Sequence, residues 1–264
     1  MPAPLDLAAI LRALGAQACR FDADLLAACD STNAVLLARA EAGAPSGTVV
    51  IAAHQTAGRG RQGRDWISAP GDSLTFSLLW RFAPRTAPAG LSLAVGLAVA
   101  NALEKVSAGG TATIQLKWPN DLLRDGRKLG GILVELVPGV RSSSGFAAVI
   151  GIGLNLRLPA ALPAELAAQC AALNDATDPN RLLATILTEL LNVLETFGQQ
   201  GFAALRAGWT AHHAYADAPV RLLSAFAPPR DGICRGVDAD GALLLETDGR
   251  VERVLSGEIS LRPA

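Results

Sequence analysis

Three arginines and three glycines interleave in Gly58-Arg59-Gly60-Arg61-Gln62-Gly63-Arg64, shortly after the apolar run Thr48 to Ala53. Each guanidinium presents a rigid fork of N–H donors matched to carboxylate or phosphate, and glycine lets the backbone approach a ligand closely. The segment reads as an anion-capturing loop, with a solvated turn as the plain alternative. Its spacing also fits the dinucleotide-binding pattern G-x-G-x-x-G, but that motif must open a helix and carry an acidic residue about 20 positions on. Here Asp65 to Asp72 is turn-rich and Leu74 to Trp80 alternates like a strand, so a nicotinamide-nucleotide loop is excluded.

Three further segments hold residues with chemical potential. Lys117-Trp118-Pro119-Asn120-Asp121 ends a strand where proline stops pairing, leaving Asn120 and Asp121 at a sheet rim. That pair can hold Mg²⁺ beside a nucleotide or merely open a hairpin. Next, Lys128 precedes Gly130 and Gly131 at the mouth of an apolar strand, an arrangement that suits an ammonium reaching an anion on a ligand laid against backbone, or else a surface lysine beside a bulge. Finally, Gly151 and Gly153 clear one face of the strand that runs to Asn155 and Leu156. Asp30-Ser31-Thr32-Asn33 offers more capping side chains than one helix start requires.

The elements that must position these groups follow from periodicity. Helices are expected at about 5–15, from Asp30 to near Gly43, at 88–106, through the leucine pattern of 181–197, and at 200–212; strands are expected at 47–54, 73–81, 112–117, 120–124, 128–137 and 146–156. After Asp217 the pattern changes to short strands with Asp-Gly turns at 231–232, 240–241 and 248–249, a small all-β module. The expected domains are therefore 1–216 and 217–264.

Composition limits the alternatives. The 264 residues are 50% hydrophobic and 18% charged, enough for a large core, and the net charge of −1 gives no global basic field for nucleic acid or an anionic membrane. A nucleic-acid module built on the arginine loop would need stacking aromatics and a second basic cluster; aromatics are only 5%. The uncharged stretch Ala89 to Leu103 is shorter than the ~20 residues of a membrane span and reads as a buried helix. The chain start shows no signal-peptide pattern, the four cysteines form no C-x-x-C pair, and the three histidines match no metal spacing. A cytoplasmic protein without a structural metal is expected.

Taken together, the motifs resemble the biotin protein ligases from about residue 25 onward. They are Ser31-Thr32-Asn33, Gln55 with Gly58 to Arg64 and Trp66, Lys117 to Leu122, Lys128 to Leu136, Gly151 to Asn155, and the terminal Gly257 to Arg262. The resemblance implies an α+β fold, a mixed sheet flanked by helices as in class II aminoacyl-tRNA synthetases, with a C-terminal SH3-like barrel. It implies activation of biotin by MgATP to biotinyl-5′-AMP, then transfer to a lysine of a biotin carboxyl carrier protein domain. Biotin would contact Ser31, Thr32, Asn33, Gln55, Gly58, Arg59, Gly60, Arg61, Lys128, Gly131, Gly151 and Gly153. ATP and the adenylate would contact Arg59, Arg61, Arg64, Trp66, Asn120, Asp121, Lys128 and Asn155. Lys128, Asp121 and Arg61 would be catalytic, with Asp121 a Mg²⁺ ligand, a base for the incoming lysine, or both. Only 30 residues precede Ser31, which implies a monofunctional enzyme without a DNA-binding domain; a homodimer is compatible. The rival is a lipoate or octanoyl ligase or transferase of related fold, against which the arginine loop, Lys117 to Asp121, and Lys128 favour biotin. Like charges and glycines also lead us to expect a loop that orders only when an anion binds.

Overall fold

Hydrophobic residues shared between two faces of one sheet dictate the architecture. The computed structural model describes residues 4–84, 86–106, 113–137, 145–160, 162–173, 178–224, 227–255 and 259–263. Seven strands form a sheet: β1 (Asp22–Leu26), β2 (Thr48–Ala52), β3 (Ser73–Phe82), β4 (Ile114–Lys117), β5 (Asp121–Arg124), β6 (Arg127–Leu136) and β7 (Phe146–Asn155). Their order is β1-β2-β3-β7-β6-β5-β4, with β1 and β2 parallel and every other neighbour antiparallel, so the sheet is mixed.

One face carries α1 (Leu7–Leu14), α3 (Leu91–Val106) and α5 (Pro179–Gln200), whose leucines close the main core over Phe76, Ile150, Ile152 and Leu154. The 88–106 stretch is indeed a buried helix, starting at Leu91 after Gly90, whose φ of 79° suits glycine. Helix α5 outruns the expected 181–197 because Asp178 accepts from the Asn180 N–H and Pro179 occupies the first turn. Part of the other face is covered by α2 (Thr32–Glu41), which packs Leu36 and Ala40 on Val50, Leu79, Ala147 and Val149. Short helices α4 (Ala164–Gln169) and α6 (Arg206–Ala211) complete this part. Strand β1 escaped the periodicity reading because it is only five residues long and its Asp22-Ala23-Asp24-Leu25 alternation carries a single large apolar residue; at this sheet edge Asp24 pairs with Arg39 at 2.6 Å.

The C-terminal module is an antiparallel sheet of β8 (Pro219–Ser224), β9 (Arg230–Val237), β10 (Leu243–Thr247), β11 (Arg250–Val254) and β12 (Ile259–Pro263), in the order β11-β10-β9-β8-β12. Among the described residues no pairing of β11 with β12 closes it into a barrel, and Gly257 and Glu258 of the terminal motif lie outside them. Asp248-Gly249 turns with both residues at positive φ, as expected. Asp231-Gly232 does not turn: it lies inside β9, where a Cβ on Gly232 would sit 2.6 Å from the Glu246 carbonyl oxygen. The module docks through Trp118, whose Nε1 donates to Gly241 O at 3.1 Å, and through His213, whose Nε2 lies 3.8 Å from Cys234 Sγ.

His213 gives this junction a pH dependence. Burial outweighs the opposing pull of Asp217 and lowers its pKa to about 4 from the ordinary 6.5. As pH falls below about 6.5 the unfolded chain takes up a proton that the folded chain refuses until about pH 4, so stability is full above that window and drops within it by about 3 kcal/mol. Urea unfolding at stepped pH is expected to show this loss in the wild type and to show a flatter curve between those limits in His213→Phe.

Candidate active site

Strand register builds the floor of the site. Thr75, Gly153 and Gly131 align in one row across β3, β7 and β6, and Ser77, Gly151 and Leu133 align in the next. Both rows face α2, so the glycines do clear one face, as expected. Two side chains fill the space. An ideal Cβ on Gly151 would lie 2.2 Å from Asn33 Oδ1, and one on Gly153 would lie 2.5 Å from Trp66 Cε2.

A polar wall rises from the start of α2. Ser31 sits at the N-cap but its side chain makes no capping bond, leaving the hydroxyl at the cavity. The Thr32 N–H donates to Gln55 Oε1 at 2.7 Å, with the Thr32 hydroxyl 3.1 Å from the same oxygen. Ser77 Oγ lies 2.7 Å from Thr32 Oγ1 and donates to Asn33 Oδ1 at 2.5 Å, while Asn33 Nδ2 donates to Glu135 Oε2 at 2.7 Å. The surplus capping residues are thus a buried hydrogen-bonded network rather than caps, which fixes each side chain's orientation.

The arginine loop lies opposite this wall. Its backbone closes through Gly60 N to Arg64 O at 2.7 Å and Trp66 N to Gly58 O at 2.9 Å. A single 3₁₀ turn, Arg61–Gly63, carries Gln62 and Gly63 at φ of 59° and 65°. A Cβ on Gly58 would meet Trp66 O at 2.5 Å, so that glycine is required by close backbone approach. No α-helix follows the loop, which confirms the rejection of a dinucleotide motif. These backbone bonds and the 3₁₀ turn give the loop its path over the sheet. Arg61 Nη1 donates to Asn120 Oδ1 at 3.2 Å, and burial, then the neighbouring Arg64, lowers the Arg61 pKa.

The lysines converge on one carboxylate. Asp121 Oδ1 is 2.7 Å from Lys128 Nζ and Asp121 Oδ2 is 3.0 Å from Lys117 Nζ. Burial pushes the Asp121 pKa up, but the charges and hydrogen bonds of Lys128 and Lys117 more than reverse this and hold it at about 2. Burial lowers the Lys117 pKa, with Asp121 opposing. Asn120 Nδ2 donates to Ile132 O at 2.8 Å, which leaves its oxygen toward Arg61.

Nearly all the residues singled out in the sequence line a single cavity; Gly58, Asp121 and Asn155 do not. Gly58 shapes the loop, Asp121 holds Lys128 from behind, and Asn155 Nδ2 donates to Ala171 O at 3.0 Å as a backbone tie. The sequence reading missed Asp65, Ile132, Leu133 and Ile152 of the lining, and Ser77, Glu135 and Lys117 as supports. A serine in the otherwise apolar centre of β3 was the one available signal. Among the described residues no three His, Cys, Asp or Glu side chains cluster to hold a metal, and both Asp121 oxygens face ammonium groups. No described helix is long and apolar enough to cross a membrane.

Comparisons with known proteins agree with this geometry. Residues 25–155 match the Biotin/lipoate A/B protein ligase family and residues 220–262 match the Biotin protein ligase C terminal domain. The chain is 39% identical over 270 residues to the bifunctional ligase/repressor BirA of Escherichia coli, spanning 100% of this chain and 81% of that one. It is 37% identical over 244 residues to the biotin--[acetyl-CoA-carboxylase] ligase of Mycobacterium tuberculosis, covering 89% and 87% of the two chains. The biotin protein ligase from Aquifex aeolicus in complex with biotin and ATP superposes with a TM-score of 0.77 at 30% identity, covering 92% of this chain and 99% of that one.

The glycine rows predict a contrast. Gly151→Ala drives a methyl into the Asn33 amide and is expected to lower stability by about 1–3 kcal/mol. Gly131→Ala is expected to be nearly neutral in the same urea titration, since its Cβ would find its nearest neighbour, Lys128 Nζ, at 3.5 Å.

Proposed function

Because the chain belongs to the biotin/lipoate A/B protein ligase family and carries the biotin ligase C-terminal domain, we infer that this cavity is where it joins biotin to ATP. The enzyme activates biotin to biotinyl-5′-AMP, releasing pyrophosphate, and transfers the biotinyl group to a lysine of a biotin carboxyl carrier protein. The observation that carries the reading is the meeting of a hydrogen-bonding wall, three arginines and Lys128 in one cavity.

In our reading Ser31, Thr32, Asn33 and Gln55 bind the ureido ring, and the hydrogen bonds that join Thr32 to Gln55 and, through Ser77, to Asn33 hold donors and acceptors in place before biotin arrives. Gly58, Gly60, Gly131, Gly151 and Gly153 keep backbone and ligand within contact distance. Arg59, Arg61 and Lys128 face the biotin carboxylate and the α-phosphate, bringing two anions together and stabilising the charge that develops as carboxylate oxygen attacks phosphorus. Arg64 contacts phosphate, Asn120 orients Arg61, and Trp66 covers the adenine by stacking. Asn155 supports the strand behind Lys128.

Asp121 acts here as a positioning group. A carboxylate held at about 2 is too weak a base to take a proton efficiently from an incoming lysine of ordinary pKa ~10.4, and a second cation at its oxygens would displace a lysine. Magnesium arrives with ATP as part of the substrate. We take residues 1–216 as the catalytic part and 217–264 as the C-terminal domain, place the protein in the cytoplasm on account of its unpaired cysteines, and assign a homodimer contact to the edge of β6 beyond Ile132, where β5 no longer pairs and Leu136 is half exposed.

ATP–pyrophosphate exchange tests both the substrate and Lys128. Wild-type enzyme is expected to exchange with biotin and not with lipoate, and Lys128→Ala to run about 10²–10³ slower. Exchange supported by lipoate alone overturns the substrate assignment, and an unchanged rate in Lys128→Ala removes that residue from the chemistry.

A further inference from the structure

Glu135 lies on β6 in the row just below Ser77, Gly151 and Leu133, opposite Val149. Its carboxylate is the acidic group that touches both halves of the site. Oε2 accepts from Asn33 Nδ2 at 2.7 Å and lies 3.8 Å from Arg59 Nη2. We propose that Glu135 is a positioning residue, setting which end of the Asn33 amide faces biotin and holding Arg59 over the sheet while the site is empty; this rests on the ligase reading above.

The amide argument follows from donor and acceptor counting. An asparagine side chain turned by 180° keeps its shape but exchanges oxygen for nitrogen, so packing alone does not select its orientation. An ionised carboxylate only accepts, and therefore forces Nδ2 toward itself. The Leu133 carbonyl, 3.3 Å away, accepts from the same nitrogen, and the Ser77 hydroxyl donates to Oδ1 from the other side. Gly151 leaves no Cβ to push the amide aside. Asn33 thus presents one fixed pattern to the cavity.

The Arg59 contact has a different character. At 3.8 Å it is an ion pair without a short hydrogen bond, and the Arg59 side chain stays about half exposed (48%). Such a contact gives the loop a counter-charge while no ligand is present, and a substrate carboxylate or phosphate reaching closer replaces it. Glu135 then keeps Asn33 while Arg59 turns to the ligand. One oxygen serves two partners, and only one of them has to change on binding.

The two contacts separate by substitution. Glu135→Gln keeps an oxygen that can accept from Asn33 but loses the charge facing Arg59; Glu135→Ala loses both. In biotin-dependent ATP–pyrophosphate exchange, Glu135→Ala is expected to raise the KM for biotin about tenfold or more with kcat within about threefold, and Glu135→Gln to keep the biotin KM within about threefold of wild type. In the ligand-free proteins, trypsin is expected to cut after Arg59, Arg61 and Arg64 about threefold faster in both variants, scored by mass spectrometry against cleavage elsewhere in the chain. An unchanged biotin KM in Glu135→Ala, an equal fall in kcat with KM unmoved, or unchanged loop cleavage in both variants overturns the proposal. If Glu135→Ala does not fold, the loop cleavage of Glu135→Gln decides. Wild-type protein that shows no biotin-dependent exchange would instead remove the ligase reading, and the trypsin comparison would still judge the contact with Arg59.

Discussion

The carboxylate of Asp121, largely covered between Lys117 and Lys128, is the group on which the site depends. Removing a carboxylate from water costs several kcal/mol, and two ammonium groups at hydrogen-bond distance offset that cost while leaving the cluster with a net positive charge. The three residues come from three consecutive strands. Lys117 faces Asp121 across β4 and β5, Asp121 faces Gly131 across β5 and β6, and a register shift at Leu122 and Leu123 brings Lys128 back toward the carboxylate. Gly131 leaves room for the pair, with no side chain between the Lys128 ammonium and the cavity floor. Lys128 therefore meets an anionic ligand already aimed and charged, with little reorganisation left for the moment of reaction.

The other constraint is the division of labour between the sheet's two faces. The face under α1, α3 and α5 is filled by leucine, isoleucine and phenylalanine and gives the sheet its rigidity. The opposite face is only partly covered by α2, and the remainder carries the glycine rows, the polar wall and the arginine loop. A site built this way has a stiff floor and, over it, a loop held by its own backbone bonds, by Arg61 on Asn120 and by a loose ion pair. The C-terminal sheet reaches the same structure through Trp118, one residue after Lys117, so its docking bears directly on the strand end that supplies the lysine.

Legibility in the sequence followed from how far a residue's role was local. Periodicity located α3 and α5 and strands β2 to β7 because burial on one or both faces imposes a repeat. The five-residue edge strand β1 alternates too briefly to stand out, and Gly232 looked like a turn because a close approach to Glu246 is invisible along the chain. The arginine loop, Lys128 and the Ser31 to Asn33 cluster were legible since their types are unusual for their places. Ser77, Glu135 and Lys117 were not, because each acts through a partner 44 or more positions away or across a strand pair, and looks in sequence like an ordinary strand residue. Asn155 is the converse case: a residue inside a recognisable motif whose amide ties backbone to backbone beside the cavity.

The account's central claim is that Asp121 stays ionised as the shared counter-charge of two lysines. Its direct measure is the side-chain carboxyl carbon shift of Asp121 followed by NMR as pH is lowered in the folded enzyme. The expected trace stays flat from neutral pH to well below the ordinary 3.8, with a midpoint at about 2. A midpoint at or above 3.8 would show that the lysines do not hold this carboxylate, and the positioning of Lys128 would need another cause.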